Sequence, residues 1–345
     1  MRCVNVSSLC AGDVLGRSIY DSSGRTLLAE KTVLTQDFIR RLTGHGIVSV
    51  YIDDPQCPLG GEDIISPQIR QKTVTTLMEL ATGITQATLT RKQDYGRRIS
   101  ALVEDIIEEL LRRKDSLINV IDLKDYDNYT YAHSVNVAVL SVVTGISMGL
   151  EYSRLKSLGI GALLHDIGKI FIPLEVLNKP GKLTSGEFDQ IKKHPERGFT
   201  KVKEDDFVDA LGRAVILQHH EKLDGSGYPN NRKGKDIHEL AKIAAVADVY
   251  DALTSDRPYR SRWAPAQGLE YIYTLAGGHL EVDIVSKFVR NIAPFPLGSL
   301  VQCSNGMQGY VVQNEINPHR PILLVGDKQV DLSRELNITI TNLVT

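Results

Sequence analysis

The period at which hydrophobic positions recur changes along the chain. In residues 1–65 short apolar runs (VLGRSIY, TLLA, VSVYI) alternate with a turn signal at Asp21-Ser22-Ser23-Gly24 and a helical LTQDFIRRLTGHG, predicting a small α+β module. Asp53-Asp54-Pro55 and Pro58-Leu59-Gly60-Gly61 break that pattern and place a boundary near residue 65. Residues 66–97 read as a helical connector. Apolar residues at helical spacing, as in RRISALVEDIIEELLRR, then lead into a large helical unit over 98–297, interrupted by Gly and Pro clusters at 178–186 and 224–234. After Pro294-Phe295-Pro296-Leu297-Gly298 the chain turns to short β-type runs (SLVQC, GYVVQ, PILLV, ITITNLV), so 298–345 is expected to be a small β-rich module. The fold class is therefore mainly α, an all-helical central unit between an N-terminal α+β and a C-terminal β-rich module. No repeat of fixed period points to a solenoid.

Composition narrows the function classes. The 345 residues are 42% hydrophobic and 24% charged, enough to bury a core and inconsistent with global disorder. With 40 basic and 42 acidic side chains the net charge is −2, so no overall field favours polymeric nucleic acid or an anionic membrane, and an anionic ligand needs a local pocket. Residues Asn128 to Leu150 carry no Asp, Glu, Lys or Arg over a length that would span a bilayer. His133, Ser134, Asn136, Ser141, Thr144 and Ser147 load that run with polar groups, and a buried helix without a membrane span is the expectation. Cys3, Cys10, Cys57 and Cys303 show no CxxC spacing, and MRCVNVSSLCAGD lacks the pattern of a secretory leader; both point to a reducing cytoplasm.

The candidate chemistry lies in the helical unit, which holds His133, His165, His194, His219 and His220. In EYSRLKSLGIGALLHDIGK, Leu155, Leu158 and Ala162 form a stripe that reaches His165 three residues on, so His165-Asp166 projects inward at a helix end. The same argument places His133 with Val137 and Leu140, and Asp248 with Ala241, Ala244, Ala245 and Ala252. Each alone reads more simply as a hydrogen-bonded core histidine or a capping aspartate. Jointly they bring two imidazoles and two carboxylates to apolar faces, where a metal would satisfy all of them.

These residues resemble the H…HD…D pattern of the HD phosphohydrolase superfamily. His165-Asp166-Ile167-Gly168-Lys169, His194, His219-His220, Asp224-Gly225-Ser226-Gly227-Tyr228-Pro229 and VADVYDALTSDRPYR over 246–260 further resemble the extended signature of the HD-GYP phosphodiesterases of bacterial signalling, across about 200 residues. The resemblance implies a binuclear centre of two divalent ions, iron or manganese, bridged by Asp166. His133, His165 and Asp248 would complete one half, and His194, His219 and His220 the other. A bridging hydroxide would then attack a phosphodiester in line.

The resemblance also implies that Lys169 reaches a nonbridging phosphate oxygen and that Arg257 and Arg260 grip phosphate or guanine; surface charges are the competing reading. Tyr228 would stack on or hydrogen-bond the ligand, unless its loop is only a turn. The family's trinuclear members carry Glu at the position of Tyr129, so two ions are expected, with linear pGpG as the main product and GMP open. Its usual Trp is Leu223 here. The implied substrate is cyclic di-GMP or a related cyclic dinucleotide. The alternatives are a phosphohydrolase for another nucleotide and a regulatory module that binds without turnover. Cys3, Cys10, His45 and Cys57 are too scattered to mark a second site. The amphipathic helices between 66 and 115 suit pairing in a homodimer as well as packing on their own domain.

Overall fold

The computed structural model describes residues 1–20, 26–44, 47, 49–54, 64–85, 92–113, 129–177, 179, 181–203, 207–255, 263–314 and 317–344. At the N-terminus, β1 (Arg2–Asn5), β2 (Ile19–Tyr20), β3 (Thr26–Leu28), α1 (Gln36–Gly44) and β4 (Ser49–Ile52) form an α+β module. β1 pairs antiparallel with β4, Arg2 opposite Ile52, and β2 with β3. Thr35 Oγ1 accepts the Phe38 N–H and starts α1, which buries Ile39 and Leu42, three residues apart, against Val4, Leu15, Leu34 and Val50. β1 is absent from the predicted runs, because a four-residue strand with Arg2 and Asn5 at its ends shows too little alternation to register.

The central unit begins with α2 (Pro67–Thr85) and α3 (Lys92–Arg112). Residue 98, where the sequence places the start of the large helical unit, falls inside α3. The polar first turns of α3, with Asp94, Arg97 and Arg98, read as linker, yet Tyr95 is already buried. Ile99, Leu102, Val103, Ile106, Ile107 and Leu110 form the inner stripe of α3, each almost completely buried. Such burial stabilises by about 1.5–3 kcal/mol per side chain. Leu77 and Leu80 from the segment read as a connector, and Ile65 just before it, share that core with the helices that follow.

Those helices are α4 (Tyr129–Ser147), α5 (Tyr152–Leu163), α6 (Leu174–Leu177), α7 (Ser185–Ile191), α8 (His194–Val202), α9 (Ala210–Gln218), α10 (Glu239–Thr254), α11 (Pro265–Leu275) and α12 (Val282–Arg290). α4 is buried almost all round over 133–145, and Ser134, Thr144 and Ser157 of α4 and α5 return their hydroxyls to carbonyls four residues back. In this way Ser134 and Thr144 of the uncharged run are satisfied inside a protein core. Among the described residues no helix is long and apolar enough to cross a membrane. Asp209 caps α9 by accepting the Gly212 N–H at 2.7 Å and also accepts Ser157 Oγ, fastening α9 to α5. The close approach depends on Gly161: a Cβ there would stand 2.7 Å from the Gly212 carbonyl oxygen.

The C-terminal module is an antiparallel sheet of β5 (Leu300–Cys303), β6 (Gln308–Gln313), β7 (Ile322–Val325), β8 (Lys328–Asp331) and β9 (Ile340–Val344), in the order β8-β7-β6-β5-β9. Val301, Cys303, Val311, Leu323 and Leu332 make its own small core. β8 is the strand the sequence reading lacks. Its KQVD carries one apolar residue, and it exists because a turn through Gly326 (φ +58°) folds it back on β7.

Candidate metal centre

Four helices and one turn bring the predicted histidines and aspartates to one point. α4 supplies His133 and α10 supplies Asp248. The turn after α5 carries His165-Asp166, α8 opens with His194, and His219-His220 follow α9. His133, His165, Asp166, His194 and His219 are each at most 4% exposed. Asp166 leads into a single 3-10 stretch, Ile167–Phe171, that packs on the start of α8. The contact is between backbones: a Cβ on Gly168 would collide with the His194 carbonyl oxygen and stand 2.6 Å from the Gly198 nitrogen. Glycine is thus dictated two residues after Asp166, and the same contact sets His194 opposite that aspartate.

Asp166 stands between two groups of donors. Its Oδ1 lies 3.2 Å from His194 Nε2, and its Oδ2 lies 3.3 Å from His165 Nε2 and 3.8 Å from His133 Nε2. Asp166, His194, His219 and His220 can each offer an atom to one ion, as can His133, His165 and Asp166, and also His165, His219 and Asp248. Asp248 Oδ1 is 3.1 Å from His133 Nε2, and its Oδ2 is 3.6 Å from His220 Nδ1. Carbonyl oxygens hold three of the rings by Nδ1: Ala162 O for His165 (2.7 Å), Ile191 O for His194 (2.8 Å) and Ile216 O for His219 (2.9 Å). Each accepted bond requires a proton on Nδ1 and leaves the Nε2 lone pair facing the centre of the cluster.

Charge and burial oppose one another here. Burial alone would raise Asp166 and Asp248. The charge of Lys169 beside Asp166, and the hydrogen bond and charge of His133 beside Asp248, hold both well below the usual carboxylate range. Burial pushes His219 well down, helped by the charges of its neighbouring imidazoles, and pushes His220 down to about 3. Both are therefore neutral and able to donate a lone pair. His133 differs: burial opposes its charged form, but hydrogen bonds with Asp248 and Asp251 raise it to about 9. Two polar atoms at the centre, His165 Nε2 and Asp166 Oδ1, are buried with no hydrogen-bond partner. Orphaned donors and acceptors of this kind are costly. Imidazole nitrogens and carboxylate oxygens converging on them fit a divalent metal ion.

At the rim, Lys169 Nζ is 2.5 Å from Asp166 Oδ2 with a quarter of its side chain exposed. Tyr228 lays its ring beside His220, centroids 4.7 Å apart, and burial, then the charges of Asp248 and Asp166, raise its phenol so that it keeps its proton. Sequence reasoning misses what holds Tyr228 there. Glu221, 3% exposed, accepts the N–H groups of Asn230 (2.7 Å) and Arg232 (3.0 Å), and Asn231 Nδ2 donates to the Gly227 carbonyl. It misses Asp251 too, whose Oδ2 is 2.6 Å from His133 Nδ1 and whose Oδ1 accepts Asn136 Nδ2 at 3.0 Å. The usable signal was spacing: Asp251 follows Asp248 and Asn136 follows His133 by three residues, on the same helix faces. Leu223 sits in the loop, its N–H on the His279 carbonyl. Arg257, Arg260 and the Tyr129 side chain lie outside the described residues, as do His45 and Cys57.

Residues 115–284 match the family model described as HD domain. The chain is 39% identical over 214 residues to a cyclic di-GMP phosphodiesterase of Pseudomonas aeruginosa, covering 62% of this chain and 51% of that one. It is 34% identical over 206 residues to the cyclic di-GMP phosphodiesterase response regulator RpfG of Xanthomonas campestris (59% and 53%), and 34% identical over 190 residues to a 3'3'-cGAMP-specific phosphodiesterase of Vibrio cholerae (54% and 42%). The chain spans about half the length of the curated relatives it matches. Among solved structures, an HDG"Y"P protein from Bdellovibrio bacteriovorus superposes with a TM-score of 0.52 over 83% of this chain and 97% of that one, at 17% identity, which is a likeness of fold.

Proposed function

Because residues 115–284 of this chain match the HD domain family, we propose that it is a cytoplasmic, binuclear metal-dependent phosphodiesterase that opens cyclic di-GMP to linear pGpG. The observation that carries the proposal is the position of Asp166, whose two oxygens face two separate groups of imidazoles. In this reading His133, His165 and Asp248 would hold one ion, His194, His219 and His220 the other, and Asp166 would serve both. An imidazole-rich set with two carboxylates suits iron or manganese. Such a pair, when bound, supplies activated water and offsets the charge that develops on the phosphoryl oxygens.

The chain's own groups then do the following. Two divalent cations against the carboxylates of Asp166 and Asp248 leave a net positive site, which suits an anionic phosphodiester. Lys169, partly exposed and next to Asp166, turns its ammonium to a nonbridging phosphate oxygen. Tyr228, kept protonated, offers a donor and a ring face to the nucleotide. Arg257 and Arg260 are assigned to phosphate or guanine on the sequence signature alone. Tyr129 at the position of the third-ion glutamate supports two ions and a reaction that stops mainly at pGpG. The similarity to a 3'3'-cGAMP-specific relative makes the mixed dinucleotide the substrate to compete against cyclic di-GMP.

The test loads anaerobically purified protein with Fe(II) or Mn(II), adds either dinucleotide, and follows the products by chromatography beside His165→Ala and Asp166→Ala. Metal-dependent pGpG formation that both substitutions abolish is the expected result. Tight binding without turnover would instead identify a regulatory module, and neither binding nor turnover would point to another nucleotide.

A further inference from the structure

Arg70 stands on α2, outside the residues that match the HD domain model, yet it is tied to the candidate metal centre. Its Nη1 donates to Asn136 Oδ1 at 2.9 Å. Asn136 Nδ2 donates to Asp251 Oδ1 at 3.0 Å, and Asp251 Oδ2 meets His133 Nδ1 at 2.6 Å and accepts Ser255 Oγ at 3.1 Å. Every link has a forced polarity. A guanidinium only donates and a carboxylate only accepts, so the amide between them has one orientation, and the Asp251 oxygen requires the His133 proton on Nδ1. The Nε2 of His133 is then the atom left facing Asp166 and Asp248.

The cost of this arrangement makes it informative. Arg70 makes no ion pair among the described residues, and its Nε and Nη2 are buried without hydrogen-bond partners. A guanidinium so enclosed, held by one neutral amide, is a poor way to stabilise a helix contact, and a methionine would fill the same space without orphaned donors. Its one side-chain hydrogen bond among the described residues leads through Asn136 and Asp251 to a single imidazole.

We infer that Arg70 is a positioning residue for His133, acting through Asn136 and Asp251, so that α2 helps to shape one half of the metal pair and not the other. This rests on the binuclear reading above. Partners of a ligand histidine of this kind change metal affinity or activity by roughly 10- to 100-fold when removed.

The experiment titrates the metal-free full chain with Mn(II), following free Mn(II) by electron paramagnetic resonance, for the wild type, Arg70→Met, Arg70→Gln and Asn136→Ala, with circular dichroism of each. The expected result is that Arg70→Met and Asn136→Ala weaken one of two Mn(II) ions by about 10- to 100-fold. The second ion stays within a few-fold, the combined variant is no worse than either alone, and kcat with cyclic di-GMP falls while KM holds. Arg70→Gln, which keeps one donor for Asn136, restores most of the affinity. Unchanged binding of both ions, or equal weakening of both, in whichever of Arg70→Met and Asn136→Ala folds would overturn the inference. So would the folding of neither, since the pair would then be structural. A wild-type chain that binds no Mn(II) fails the binuclear reading itself, which separates the two.

Discussion

The imidazoles around Asp166 differ in which form the fold prefers, and each preference has a pH window. His219 and His220 lie below the ordinary histidine value, His220 at about 3, so the folded chain refuses protons that the unfolded chain accepts below about 6.5. Metal-free protein therefore loses stability as pH falls from 6.5, by up to about 1.4 kcal/mol per pH unit for each of the two groups. His133, raised to about 9, has the opposite sign: its contribution is fully present below 6.5 and is lost as pH rises to 9. Urea denaturation of chelator-treated protein from pH 5 to 9 should show a stability maximum near neutrality. A flat profile would mean that these rings are not enclosed as described. Among the candidate ligands, His165-Asp166 was legible in the sequence because it continues an apolar stripe to a helix end, and His133 and Asp248 because they lie on the apolar faces of α4 and α10. Asp251 was not, because its partner His133 is 118 residues away and only the packing of α10 on α4 joins them.

At the scale of elements, the site depends on how closely backbones approach. The turn after Asp166 touches the first turn of α8 at Gly168, where a methyl group meets main chain and nothing flexible gives way. Gly168→Ala is expected to push α8 and His194 away from Asp166, destabilising the protein by about 1–3 kcal/mol as overpacking does. It should also weaken metal binding at the His194 half before the His133 half. Thermal melts and metal titration of the variant check this; a neutral substitution would show that the turn and α8 can part without cost. Here the sequence was informative about period and silent about approach. The stripe of α3 was readable from its apolar spacing, whereas its first turns read as connector because their polar residues resemble a linker. β8 was invisible because pairing with β7, and not its own KQVD, makes it a strand.

For the whole molecule, the fold encloses a group of buried imidazoles and carboxylates that a bound cation would satisfy. Adding Mn(II) at about 100 times its dissociation constant should stabilise the chain by roughly 2.7 kcal/mol per independent site, read as a rise in melting temperature that a chelator reverses. The mainly helical class and the two small flanking modules were legible from changes of hydrophobic period, since each module builds a core of its own. The reach of α2 into the metal centre was not, because nothing local to Arg70 marks it. The most direct test of the account is metal stoichiometry by mass spectrometry in the wild type, His133→Ala, His194→Ala and Asp166→Asn, each folded by circular dichroism. A shared Asp166 predicts about two ions in the wild type, about one after either histidine change and none after Asp166→Asn. One ion retained by Asp166→Asn, or three in the wild type, would contradict it.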